Sequence, residues 1–111
     1  MSSKTITQIV RLGRKTLEES IRDNIRTILL TSRGEVPFRP RFGLGAERLL
    51  GGGMQSLDIA YEVADQLSRY EKRIKVRQVV TTEPEPGRRE VAIHYEILST
   101  TELQTLTISN Q

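Results

Sequence analysis

At Ile74 the spacing of apolar residues changes from three and four to two, and this switch limits the chain to a fold that joins helices to an antiparallel sheet. After it, Ile74, Val76 and Val80 alternate with Lys75, Arg77 and Thr81. Further on, Val91, Ile93, Tyr95 and Ile97 alternate with Glu90, Ala92, His94 and Glu96. A period of two puts one side of a strand on a core and the other towards water. Glu83-Pro84-Glu85-Pro86-Gly87 between the runs is a turn composition, so a hairpin is predicted. In a third run, Leu103, Leu106 and Ile108, the alternation slips by one residue. That fits either a bulged strand or a strand completed by another chain. With its threonines and polar end it reads as an edge strand, which readily pairs with a neighbour.

Before Ile74 the pattern is helical. Thr16 and Glu19 have the spacing of a capping box, and Leu17, Ile21, Ile25, Ile28 and Leu29 recur on one face, away from Arg22, Asp23 and Arg26. The spacing predicts a helix over 16–30, closed by Gly34 in the left-handed conformation. A second helix is predicted from Ser56, as its cap, to about Tyr70, with Leu57, Ala60, Tyr61, Ala64 and Leu67 buried. Between them, two prolines exclude helix from Glu35-Val36-Pro37-Phe38-Arg39-Pro40-Arg41-Phe42-Gly43, leaving an ordered loop. Gly45 to Leu50 can form one helical turn burying Leu44, Leu49 and Leu50, and Gly51-Gly52-Gly53 is a loose joint without the lysine of a P-loop. The expected class is α+β: two main helices on a small antiparallel sheet, formed by residues 16–111 as one domain after an N-terminal arm, 1–15.

Several chemistries find little support. The 111 residues contain no cysteine and one histidine, so a metal centre is not expected, nor is any cofactor. His94 falls on the outward side of its strand with no nucleophile beside it. No apolar run approaches the roughly 18 residues of a membrane span, and Met1 to Val10 lacks a signal-peptide core, so the expectation is a protein that is cytoplasmic when made. A glycosidase needs two carboxylates about 5–9 Å apart across a groove. Here the acids sit mostly on solvated helix faces or in the 83–85 turn, and there is no tryptophan. The net charge of +3 does not demand a polyanion. A nucleic-acid-binding module would rest on a pI of 9.6 and on the clusters Arg39/Arg41 and Arg69/Lys72/Arg73/Lys75/Arg77, which acids interrupt. Phe38 and Phe42 could stack bases, or they could anchor the loop to the core.

The run from Ile25 to Gly43, with its Thr31-Ser32-Arg33-Gly34-Glu35 turn and Phe38-Arg39-Pro40-Arg41-Phe42-Gly43 loop, resembles the contractile-tail baseplate assembly protein W family. These are wedge subunits of phage baseplates, with counterparts in type VI secretion and related injection systems, and the resemblance spans roughly residues 20–100. The family carries Glu-Pro-Arg after its second long helix, where this chain has Glu71-Lys72-Arg73. The resemblance implies a non-enzymatic structural subunit, although some members have carried a lysozyme label. Its implied partners are other wedge subunits, the sheath protein and central hub, spike or tube proteins, with six copies per particle. It implies that Glu71 and Arg73, with Lys72, face a helical bundle of neighbouring subunits, the alternative being an intrachain salt bridge. It also implies that the strands imitate a sheath subunit and accept the first sheath ring by strand addition. Residues 89–98 and 102–108 would carry this, through Val91, Ile93, Tyr95, Leu103, Leu106 and Ile108, while Phe38, Arg39, Pro40 and Phe42 form a further partner-binding element. The arm 1–15 is expected to order on assembly.

Overall fold

The computed structural model describes residues 16–110, so the expectations for the arm 1–15 lie outside the described residues. Helix α1 (Leu17–Leu30) starts on the predicted capping box: Thr16 Oγ1 accepts from the Glu19 N–H at 3.2 Å, and Glu19 Oε1 accepts from the Thr16 N–H at 3.0 Å. Ile21, Ile25, Ile28 and Leu29 are fully buried, whereas Leu17, on the first turn, stays at the rim. The helix stops earlier than Gly34. β-Branched Thr31 turns extended at its end, and Gly34 takes its positive φ in the following turn, which the Ser32–Glu35 hydrogen bonds close.

Helix α2 (Ala46–Leu50) is the predicted single turn, and Leu44, Leu49 and Leu50 enter the core. Helix α3 (Ser56–Tyr70) differs from expectation in two ways. Gln55 is the N-cap and Ser56 the first helical residue, with no side-chain cap bond. The buried face holds Ile59, Val63, Gln66 and Leu67, while Leu57 and Tyr61 are 83% and 71% exposed and Ala60 and Ala64 half-buried. Two apolar stripes run along this helix, and the bulky, β-branched one fills more core volume than the one carrying the alanines. The other stripe is left outside.

The strands β1 (Ile74–Glu85), β2 (Arg88–Ile97) and β3 (Glu102–Ser109) form one antiparallel sheet in the order β1-β2-β3. Val91, Ile93, Tyr95 and Ile97 face the core as predicted. On β1 the alternation breaks: the register shifts between Val76 and Gln78, so Val79 rather than Val80 pairs with core-facing Ile93 and packs against the core. The hairpin turn is tighter than five residues, since Glu85 already pairs with Arg88 across Pro86 and Gly87, and Gly87 supplies the φ of +81° at its third position. β3 pairs with β2 without a break from Glu102 to Ser109, so it carries no bulge. Leu106 and Ile108 point inward, and Leu103 lies on the other face.

Helix α3 lies along β1, and α1 packs on α3 and α2, so that apolar residues of all three helices meet those of the sheet in one core. Tyr95 is the largest fully buried side chain. Its hydroxyl has no hydrogen-bond partner, and burial pushes its pKa up against the opposing, lowering influence of nearby Arg22, whose Nη1 donates to the Thr105 carbonyl.

Candidate assembly surfaces

Glu71 is the C-cap of α3, its N–H donating to the Leu67 carbonyl at 2.9 Å. Its carboxylate is 3% exposed and receives Arg73 Nε at 2.8 and 2.9 Å and Nη2 at 2.8 Å. Asn24 Nδ2 adds a 3.4 Å bond from α1, Arg73 Nη1 reaches Ser20 Oγ at 3.1 Å, and the Arg73 carbonyl accepts from the Leu98 N–H. The bond to Glu71 raises the guanidinium pKa further above its usual value. In the single chain the pair is thus intramolecular and ties α1, α3 and β1 together. Arg73 still shows 42% of its side chain to solvent, and exposed Lys72 lines a cleft of about 300 Å³ with Ala64, Ser68 and Lys75.

The proline loop is two successive turns. The Arg39 N–H donates to the Val36 carbonyl and the Phe42 N–H to the Arg39 carbonyl, each at 3.1 Å, with Pro37 and Pro40 at the second positions. Phe42 is buried edge-to-face on Tyr70, ring centroids 4.8 Å apart, and the Arg39 guanidinium lies 5.7 and 5.9 Å from the two ring centres. Anchoring therefore describes Phe42, whereas Phe38 and Pro40 stay exposed. The clamp that holds the loop is Gln66, which sequence reasoning passed over. Its Oε1 accepts from the Gly43 N–H at 2.7 Å and its Nε2 donates to the Arg41 carbonyl at 2.8 Å. A glutamine in line with Ile59 and Val63 was the available signal, since a polar side chain on a buried stripe must find partners.

On the sheet, Val91, Ile93, Tyr95, Leu106 and Ile108 are all buried in the chain's own core, and only Leu103, 72% exposed, presents a side chain outward. β2 is hydrogen-bonded on both sides, so residues 89–98 have no edge to offer. The sheet edges left among the described residues are the outer sides of β3 and β1. Along β3, antiparallel alternation turns the backbone of Leu103, Thr105 and Thr107 outward, consistent with the Arg22 bond to the Thr105 carbonyl. No strand covers that edge among the described residues.

Several carboxylates are tied up in ion pairs: Glu62 with Arg33 and Arg48, Asp65 with Arg69, Glu96 with Arg77, and Glu85 and Glu90 with Arg88. His94 Nδ1 lies 2.8 Å from Thr105 Oγ1 on the outer sheet face. Among the described residues no cluster of three or more His, Asp or Glu could hold a metal, and no helix is long and apolar enough to cross a membrane.

Residues 15–102 match the family described as baseplate wedge protein gp25. The fold is similar to the crystal structure of a Geobacter sulfurreducens protein bearing the name tail lysozyme, with 32% sequence identity and a TM-score of 0.73 over 86% of this chain and 91% of that one. That name alone brings no catalytic residues with it. No curated protein matches the chain. The turn, proline loop and acidic-basic junction thus sit in a matching sequence on a matching fold, and the chain belongs to the baseplate wedge protein gp25 family, a family of structural baseplate proteins.

Proposed function

We propose that this protein is a non-enzymatic baseplate subunit of a contractile injection system, which joins the wedge to the sheath and starts the first sheath ring by strand addition. The observation that carries the reading is the family match over residues 15–102. The finer steps are supported by two surfaces. One is the outer edge of β3, a regular eight-residue strand whose outward backbone groups can pair with an extended sheath arm. Arg22 shields this edge at Thr105 in the free chain, which limits premature pairing. The other is the outward stripe of α3, Leu57 and Tyr61 with Ala60 and Ala64. It leads into the cleft beside Lys72 and the Glu71–Arg73 pair and suits the helical bundle of neighbouring wedge subunits. Six copies, one per wedge, follow from the family's symmetry.

Thr107→Pro tests the strand addition. Proline removes an outward N–H at an exposed edge position, where the fold does not use it. The purified variant should melt within a few degrees of wild type, while particles made with it should carry baseplates without sheaths. Sheaths of normal length on those particles would show that β3 does not template them.

A further inference from the structure

Phe38 is placed at a cost that nothing inside the chain repays. Its ring is fully exposed, at 102% of the reference area, and its backbone has φ +65°, one of two positive values among non-glycine residues described. In the Val36–Arg39 turn it occupies the third position, after Pro37, where a left-handed residue is required and glycine or asparagine is the usual occupant. The chain uses that ordinary solution elsewhere: in the hairpin turn, Pro86 is followed by Gly87 at φ +81°. The contrast is within one sequence. The loop behind Phe38 is held rigidly by Phe42 on Tyr70, Arg39 over both rings and Gln66 across Gly43 and Arg41. A stiff loop that holds an aromatic ring in water has the form of a preorganised anchor.

We infer that Phe38 is an insertion anchor, which docks into an apolar pocket with an acidic rim on a neighbouring protein of the assembly. The rim follows from charge. Arg39 and Arg41 follow Phe38 in the same loop, both exposed, and neither makes a salt bridge among the described residues, whereas nearby Arg33, Arg48 and Arg69 are already paired with Glu62 or Asp65. Two exposed guanidinium groups without a carboxylate partner, Arg41 and the Arg39 that packs over Phe42 and Tyr70, give the loop that carries the knob a positive charge that matches carboxylates around a pocket. A single exposed ring, in a loop whose Arg41 shares a pocket with Glu62 and Asp65, makes a poor track for nucleic acid, which needs successive stacking surfaces along a basic groove. The inference rests on the assembly role proposed above and adds a docking residue and the chemistry of its receptor.

The test uses Phe38→Asn in the full-length protein. Asparagine tolerates the left-handed conformation, so the melting temperature should be unchanged or a few degrees higher, while incorporation into particles should fall at least tenfold. A photo-crosslinking phenylalanine analogue at position 38 should join, in assembled particles, to a protein segment rich in Asp and Glu. If deleting the gene blocks assembly and the asparagine variant restores it fully, Phe38 is not an anchor although the baseplate reading stands. If deletion leaves particles unchanged, both fail. If the variant incorporates normally but loses steeply salt-dependent binding to a single-stranded oligonucleotide, the ring serves nucleic acid and the protein pocket is refuted.

Discussion

Replacing Gly43 by alanine is expected to lower the melting temperature on the order of 15 °C. A Cβ at this position would lie 2.4 Å from the Thr31 carbonyl oxygen, a backbone atom that cannot swing aside, and Gly43 has φ +98°. Left-handed geometry costs an alanine about 1–2 kcal/mol, and forcing an atom into a filled site adds roughly 1–3 kcal/mol. Together they give about 3 kcal/mol, and each kcal/mol moves the midpoint of a domain this size by about 4–8 °C. Gly52→Ala is the control: its φ is +85° but nothing lies within 4 Å of the added Cβ, so only the conformational cost applies. Thermal melts of the two variants separate strain from collision. Equal losses would mean that the approach of Gly43 to Thr31 is not what holds the loop against the end of α1.

Gln66→Leu should cost nearly as much for a different reason. Leucine fills similar volume, but it strands the Gly43 N–H and the Arg41 carbonyl, which Gln66 satisfies from a site 1% exposed to solvent. An abandoned buried group costs roughly 1–3 kcal/mol, and the Arg41 carbonyl, only part-buried, costs less than the Gly43 N–H, so a loss of about 2–4 kcal/mol is expected in urea unfolding. The two substitutions damage one joint. Their combined effect should therefore fall short of the sum, because a loop already displaced by the Gly43→Ala change no longer depends on Gln66. Additivity within about 0.5 kcal/mol would show two independent sites. Because the same joint sets the direction of Phe38, loss of particle incorporation should accompany loss of stability in both variants.

Sequence is most legible where one residue's chemistry dictates one geometry. The Thr16–Glu19 box, the two prolines of the loop and the strict alternation from Val91 to Ile97 each predict what the structure contains. It is least legible where tertiary packing chooses between local options. Helix α3 offers two apolar stripes, and only the shape of the core decides that Ile59, Val63 and Leu67 enter while Leu57 and Tyr61 stay out. The register shift after Val76 has no composition signal, and it exchanges Val79 for Val80 at the core. Strand order is equally hidden. Val91, Ile93 and Tyr95 look available for a partner until β3 is placed beside β2, which leaves the outer edge of β3. The junction is legible as a charged pair, but that Glu71 is buried and held by Asn24 as well as Arg73 depends on residues nearly fifty positions apart in the sequence. Phe38 is visible as an aromatic in a loop, and its strain emerges only with the backbone.

The most direct test of a structural role in the baseplate is to delete the gene in the producing cell, purify any tail-like particles and image them by electron microscopy, with the wild-type gene returned as the control. Absence of baseplates and sheaths, restored by the wild-type protein, is the predicted result. Intact, contractile particles that only fail to breach the cell wall would contradict it, and would point to cell-wall hydrolysis in place of assembly.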